Sequence, residues 1–469
     1  MAKSNLKKDN LSIIETIALS VAIIAPTAAM SINVSLMAGS ASFSVPLIFL
    51  VSTVVVGLVS FSIIKFNHYF SSAGSLYTFA GKALGKRAGF ITGWTLVLAY
   101  LTLAAGCSAE FGSFFSSLLK DFWGIQAPWL PLALIASIGI LILGISDAKI
   151  STRIMLTMEG LSILLISILS IVILIKVGST KGLSAIPFKT NGTNFSALAS
   201  TSVFAFLSFI GFESASSLGE ETKNPKKLIP LAIMSAVFVS GLFYIVVSYS
   251  QVIGFGVDAK GLKALTASSL PLTDLSGKYI SKIFGMFLLF SASLSCFSCS
   301  LGSVCAGARI LFSMSRDGML HKGLSNVHKK YDTPYVGIAA ILIPAVLIQI
   351  PLYKINGIDA FNYLATIGSL AIIVSYLFTS VGAIVFFKHT KEIKNSSIII
   401  PAVSILPLVY VLYSNIYPVP EFPGNIFPYI VLGWIAIGFV LGKKVVKVPS
   451  VNTDTLTSVS DMDKESLGA

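Results

Sequence analysis

Phe204 to Pro230 reads FAFLSFIGFESASSLGEETKNPKKLIP, and the way this stretch begins and ends decides the class of the fold. It opens as an apolar run of the kind that crosses a membrane as a helix. It then meets Gly211 and Glu213 with hydrocarbon still to cross. Glycine loosens helical backbone, and a carboxylate at the bilayer centre costs about 2.5–3.5 kcal/mol on insertion scales, so such residues line a cavity or a pathway. Taken alone, the stretch is equally a kinked helix with a satisfied glutamate. A second interrupted helix elsewhere in the chain decides between the two.

The chain around this stretch is that of a polytopic membrane protein. Of 469 residues, 55% are hydrophobic and 11% charged, with mean hydropathy +0.86, where an ordinary soluble domain carries about 25% charged residues. The polar start MAKSNLKKDN has no small-residue cleavage site after a short apolar core, so no cleaved signal is expected. Cys107, Cys296, Cys299 and Cys305 all fall in apolar segments, which implies no disulfide framework. Cys296 and Cys299 form a C-x-x-C, but without companion histidines helix packing is the expected role; no metal and no cofactor are expected.

Apolar runs long enough to span, about 17–25 residues each, number twelve. They cover 12–38, 43–64, 89–118, 128–146, 153–176, 195–219, 228–252, 283–311, 335–353, 360–387, 397–416 and 425–442. With a cytosolic N-terminus, 24 of the 33 Lys and Arg residues fall on the inner side and 9 on the outer. That asymmetry places residues 1–11 and the tail 443–469 in the cytosol, and the net charge of +13 needs no nucleic acid to explain it. All four histidines, His68, His321, His328 and His389, land in cytosolic loops. Leu76, Phe79, Ala80 and Leu84 give an amphipathic stretch after the second span, and the tail from Val448 is polar and expected to be disordered.

The second break lies in the first span, IALSVAIIAPTAAMSINVSLMAG, Ile17 to Gly39. Pro26 near its middle removes a backbone donor and clashes with the preceding turn, at ~3 kcal/mol in a helix interior. In lipid such a break is tolerated where it is buried in protein or lines a cavity. Breaks in spans one and six occupy equivalent places if residues 12–176 and 195–387 are two five-helix repeats, with 397–442 as two extra helices. Five is odd, so the second repeat enters the membrane from the opposite face. The expected fold is therefore an all-α, twelve-helix transporter domain over 12–442, a five-plus-five inverted repeat with discontinuous helices 1 and 6 and a substrate site at the midplane.

Three segments give this reading a family resemblance. SFIGFESASSLGEETKNPKKLIPLAI resembles the sixth-helix signature of the amino acid/polyamine/organocation (APC) permeases. RILFSMSRDGML, Arg309 to Leu320, resembles their eighth-helix exit, and SSAGSLYTFAGKALGKRAGFITGW their loop into the third helix. The resemblance implies that an amino-acid-like substrate binds between the two breaks. Its carboxylate would meet backbone at Pro26, Thr27, Ala28 and Ala29, where exposed amides of a helix start suit an anion. The family's glycine-rich turn is replaced here by Ala25-Pro26-Thr27-Ala28, and helix packing is the alternative role of these small residues.

The resemblance assigns the opposite wall to Ser208, Phe209, Ile210 and Gly211. Leu207 stands where several members place an aromatic gate, with Phe206 or Phe209 as stand-ins. Glu213 directly follows the break and is the first candidate for a gate or proton-coupling group; Glu159 in the fifth span is the second. Proton-coupled relatives often carry a lysine in the fifth helix, and the nearest basic residue here is Arg153 at its entrance. Ser162, Ser298, Ser300 and Ser303 are candidates for a sodium or proton site, with structural hydrogen bonding as the alternative. Glu110 is a candidate vestibule residue or acceptor of a cationic side chain. Glu220, Glu221, Lys223, Asn224 and Pro225 close the sixth helix, where pairs with Arg309 or Arg316 would make an inner gate.

These features point to a secondary transporter of an amino acid, coupled to a proton or sodium ion or to exchange, embedded in the lipid bilayer of the cell membrane. Sparse intramembrane charge favours a neutral substrate, and Glu110 keeps a cationic amino acid or polyamine in play. No Ser/Lys pair, paired aspartates or H-E-x-x-H in the spans suggests an enzyme. A channel would need a filter repeat or charged ring, and a substrate-sensing receptor would bind without transport. A major-facilitator transporter would need a long loop between spans six and seven, where only residues 220–227 intervene.

Overall fold

A computed structural model describes residues 6–190, 193–390 and 395–445. The tail from Val448 lies outside these residues, as do Lys3, Lys391, Lys394, Lys447 and Lys464 of the charge count. Among the described residues there is no strand, and one isolated bridge pairs Leu11 with Thr222.

In chain order the α-helices are α1 (Ile13–Ile24), α2 (Pro26–Ala41), α3 (Val45–Tyr69), α4 (Leu76–Leu84), α5 (Lys86–Trp123), α6 (Trp129–Ile145), α7 (Ala148–Lys181) and α8 (Phe195–Leu207). They continue as α9 (Pro225–Phe255), α10 (Ala259–Ala267), α11 (Pro271–Tyr279), α12 (Lys282–Arg316), α13 (Tyr335–Gln349), α14 (Gly357–His389), α15 (Ile399–Ser414) and α16 (Phe427–Val445). Nine helical segments among the described residues are long and apolar enough to cross a membrane, and the first of these, Ile13–Tyr69, contains α1 to α3. Shorter apolar helices are α6 and α15. The all-helical, multi-pass membrane class expected from composition is what the structure shows.

The long helix α5 is the axis of the bundle: α12 and α14 pack along it, and α4 lies against both α5 and α14. Leu76, Phe79 and Ala80 of α4 are buried, so this amphipathic helix turns its apolar face into the bundle. Stacking of Phe66 on Phe79, with centroids 5.2 Å apart, joins it to α3. Two short helices not anticipated from the sequence, α10 and α11, follow α9 and cover the far end of α2. Their starts have ordinary causes. The Asp258 carboxylate accepts from Gly261 N at 2.7 Å, and Pro271 occupies the first turn of α11, where a missing N–H costs nothing.

At the end of the bundle holding the chain's start, the segment before α1 is bound in place. Asn10 N and Leu11 N donate to the Glu221 carbonyl at 2.9 and 3.0 Å, and Lys223 N donates to the Leu11 carbonyl at 2.9 Å. Leu6 is buried in an apolar cluster with Ala73 and Phe312. Lys7 Nζ reaches Asp147 Oδ2 at 2.6 Å and Asn10 Nδ2 reaches Asp147 Oδ1 at 2.9 Å. Burial opposes the Asp147 charge, but these bonds and the Lys149 N–H hold its carboxyl below the usual carboxylate range. The hydrogen bond to Asp147, followed by its charge, raises Lys7. Ser12 and Glu15 form a capping box at the start of α1, and Arg153 Nε lies 3.0 Å from Glu15 Oε1.

Candidate functional site

Pro26 acts as its chemistry dictates. With no N–H to offer at residue 26, α1 stops at Ile24, Ala25 turns into the left-handed region at φ +46°, and α2 restarts with Pro26 in its first turn. One carbonyl freed by the break, that of Ile23, accepts from the Cys299 thiol of α12, with sulfur 3.2 Å away. The second break is longer. After α8 ends at Leu207, Phe209 N bonds the Phe206 carbonyl and Ile210 N the Leu207 carbonyl in tight turns. Gly211 then takes φ +103°, and the chain continues as a 3-10 segment, Phe212–Leu218. Serine 208 remains tied on both sides: Asn33 Nδ2 of α2 donates to its Oγ at 2.8 Å, and the Tyr244 hydroxyl of α9 to its carbonyl at 2.6 Å.

The two breaks meet. A Cβ at Gly211 would lie 2.8 Å from Ile23 Cβ and 3.1 Å from the Ile23 carbonyl carbon, so only glycine allows this approach. Ser20 Oγ donates to the Phe212 carbonyl at 2.8 Å and accepts from Ala215 N at 3.1 Å, fastening α1 to the 3-10 segment beyond the second break.

Glu159 comes to the same place from α7. Its Oε1 accepts from Thr27 N at 3.3 Å, one of the backbone donors left open at the start of α2. The Ser295 and Thr27 hydroxyls lie beside this carboxylate. Glu159 Oε2, Thr27 Oγ1 and Ser295 Oγ are nevertheless buried without a hydrogen-bond partner. Burying such atoms unpaired costs about 1–3 kcal/mol each, which makes them the polar groups here with capacity for a ligand. Pro26 and Ala28 are buried and Ala29 is half-buried.

Opposite them, Phe209 is fully buried with its ring edge-on to Tyr244, centroids 4.9 Å apart, and Ile210 is 8% exposed. Leu207, the gate position, is half-buried, while Phe206 is buried. Both oxygens of Glu213 are taken by tyrosines, Tyr100 of α5 at 2.7 Å and Tyr376 of α14 at 2.5 Å. Glu110 is buried beside Cys296, and its Oε2 has no partner.

The four serines expected near an ion do not converge. Ser162 Oγ donates to the Ser291 carbonyl at 2.9 Å, Ser298 Oγ to the Met155 carbonyl at 3.4 Å and Ser300 Oγ to the Ala104 carbonyl at 2.8 Å. Ser303 Oγ has no partner. Residues two apart on a helix point about 200° apart, so Ser298 turns to α7 while Ser300 turns to α5. The C-x-x-C cysteines are buried and free. Cys107 and Cys299 bring their sulfurs within 3.1 Å, and no group of three or more His, Cys, Asp or Glu side chains among the described residues is arranged for a metal.

The expected pairs at the exit of the second break are formed. Arg309 holds Glu221 through two nitrogens, at 2.5 and 3.0 Å, with both side chains buried. Arg316 Nη1 reaches Glu220 Oε2 at 2.7 Å. With the segment before α1 laid across Glu221 and Lys223, these pairs tie the second break to α12 at this end of the bundle. Sequence reasoning missed Tyr100, Tyr244, Tyr376 and Ser295. A tyrosine within an apolar span is the signal for the first three, because a buried phenol needs a partner. Ser295 carries no signal that separates it from its neighbouring serines.

A family model described as amino acid permease matches residues 17–422. The chain is 28% identical over 419 residues to the branched-chain amino acid permease BcaP of Bacillus subtilis (strain 168), over 82% of this chain and 81% of that one. It is 26% identical over 418 residues to the methylthioribose transporter of the same organism, over 83% of each. The low-affinity putrescine importer PlaP of Escherichia coli (strain K12) matches at 25% over 313 residues, 64% of this chain and 66% of that one. Among solved structures, a manganese transporter of Eremococcus coleocola in a point-mutant form aligns with TM-score 0.53 at 11% identity, over 92% of this chain and 94% of that one. This last likeness is one of fold.

Proposed function

Because this chain belongs to the amino acid permease family, we propose that it is a secondary active transporter that moves an amino acid across the cell membrane by alternating access. The observation that carries this reading is the contact of Gly211 with Ile23, which joins two interrupted helices 188 residues apart (211 − 23) in one buried place lined by unpaired polar atoms. Twelve membrane crossings with repeats over 12–176 and 195–387 fit this arrangement. Both termini then lie in the cytosol, and the basic-residue asymmetry supports that orientation.

On this reading Pro26 to Ala29 and Ser208 to Gly211 are the walls of the substrate site, and Leu207 is its outer gate. Arg309–Glu221 and Arg316–Glu220 hold the cytosolic gate shut. Glu213 and Glu159 are the groups through which a proton gradient, or exchange of one substrate for another, is coupled to movement. Purified protein in liposomes should accumulate one or more of the twenty labelled amino acids, tested under pH and sodium gradients. Binding without accumulation would move the protein to a sensor, and flux unaffected by every gradient and by internal substrate would remove the coupling.

A second reading, carriage of a cationic amino acid or a polyamine, is favoured by Glu110 and Glu159, each of which keeps one buried oxygen unpaired. The similarity to a putrescine importer agrees with it. Adding polyamines to the same screen separates the two.

A further inference from the structure

The charges buried in this bundle do not balance. Glu15, Glu110, Glu159, Glu213 and Glu221 are buried, and Arg309 is the one buried basic side chain among the described residues. Glu221 has Arg309, Glu15 has Arg153 and Glu213 has two phenols. Glu159 has a single backbone donor, Thr27 N, which is also a donor that a substrate carboxylate would use at this break. Its second oxygen is buried, the buried Thr27 and Ser295 hydroxyls beside it accept from no other group, and Tyr244 of α9 and Cys296 of α12 are the other titratable groups within charge range. None of these groups is a base.

We propose that Glu159 is a built-in carboxylate at the break between α1 and α2, and that the site recognises the ammonium group of its substrate, with a free substrate carboxylate dispensable. The reasoning is one of room and charge. A substrate carboxylate brought to Thr27 N meets Glu159 Oε1 already there, and two carboxylates in one buried place repel. An ammonium meets the second Glu159 oxygen and the acceptor lone pairs of the Thr27 and Ser295 hydroxyls beside it, three acceptors for its three donors. The substrate class is therefore primary amines, including amino acids whose carboxyl is masked or removed. This rests on the transport reading for the location of the site and adds which end of the molecule the site holds.

The test is a binding panel on the purified full-length protein. Each of the twenty amino acids is measured by thermal stabilisation beside its amide, its decarboxylated amine and its deaminated acid, with sodium and potassium chloride alone as controls. At least one amide or amine should stabilise the protein as well as, or better than, its parent amino acid, and no deaminated acid should. Glu159→Gln should weaken that amine about 10- to 100-fold, the worth of one charged hydrogen-bonded contact. Ser295→Ala, a smaller change that guards against misfolding of the first variant, should weaken it several-fold.

Amino acids that bind while all their amides and amines bind tenfold or more weaker would overturn the proposal and leave the transport reading standing. Amine binding without liposome uptake would do the reverse. Equal stabilisation by sodium or potassium chloride alone would assign the oxygens to an inorganic cation and overturn it. So would unchanged amine affinity in both variants, or no stabilisation by any amine.

Discussion

Replacing Gly211 with alanine tests the meeting of the two breaks, and its cost divides into two separable parts. The first is local: an L-residue held at φ +103° carries ~1–3 kcal/mol of backbone strain. The second is the contact. The new methyl would lie 2.8 Å from Ile23 Cβ and 3.1 Å from the Ile23 carbonyl carbon, and forcing a methyl into packed space costs ~1–3 kcal/mol. Gly211→Ala should therefore destabilise by ~2–6 kcal/mol, a fall of about 4–12 °C at ~2 °C per kcal/mol. Ile23→Ala removes Cγ2, the atom nearest the new methyl, without touching the backbone angle, and leaves the Cβ and carbonyl carbon in place. In that background the glycine substitution should cost the first part and a reduced second part, leaving a coupling of ~1–2 kcal/mol between the sites. The assay is thermal unfolding of all four proteins in one detergent, with liposome uptake beside it. A Gly211→Ala protein that melts with the parent, or a cost that is the same with and without Ile23, would refute the contact.

Three further outcomes are expected. Glu213→Gln should reduce proton-driven uptake at least about tenfold while sparing counterflow, as loss of one charged hydrogen-bond partner implies; equal loss of both would make Glu213 structural. Arg309→Met should destabilise by ~3–5 kcal/mol because it strands Glu221 in a buried setting, and Arg309→Met with Glu221→Leu should recover most of that in the same melting assay. The Lys7–Asp147 contact should show a plateau of protection in hydrogen exchange of residues 6–12. Asp147 lies below its ordinary 3.8 when folded, so its contribution is complete above that pH and is lost on acidification. Lys7 lies above its ordinary 10.5, so its contribution is complete below that pH and is lost as alkali passes the folded value. Exchange that is flat through both limits would show that the contact does not hold residues 6–12 in place.

The breaks were legible in the sequence because Pro26 and Gly211 act on their own backbone, one by lacking a donor and the other by tolerating a positive φ. The all-helical membrane class was legible because apolar runs of spanning length have few other homes. The arginine pairs could be anticipated because acidic residues leave one helix and basic ones end another. What Glu159 touches was not legible: Thr27 is 132 residues away, and nothing local in either sequence specifies the other. The scatter of Ser298 and Ser300 has the same origin, since side-chain direction depends on how α12 is rotated in the bundle. Tyr100 and Tyr376 converge on Glu213 from α5 and α14 only once those helices are side by side.

The residues that precede α1 carry a practical consequence. Asn10 and Leu11 are stitched by backbone hydrogen bonds to the strip between Glu221 and Lys223, and Leu6 is sunk beside Phe312. A purification tag or fluorescent protein fused ahead of Leu6 pulls directly on the strip between Glu221 and Lys223, whereas one fused at the other end of the chain is not joined to that segment. Two such fusions, compared for resting leak, would turn a choice usually made for convenience into a measurement of how firmly that end is held.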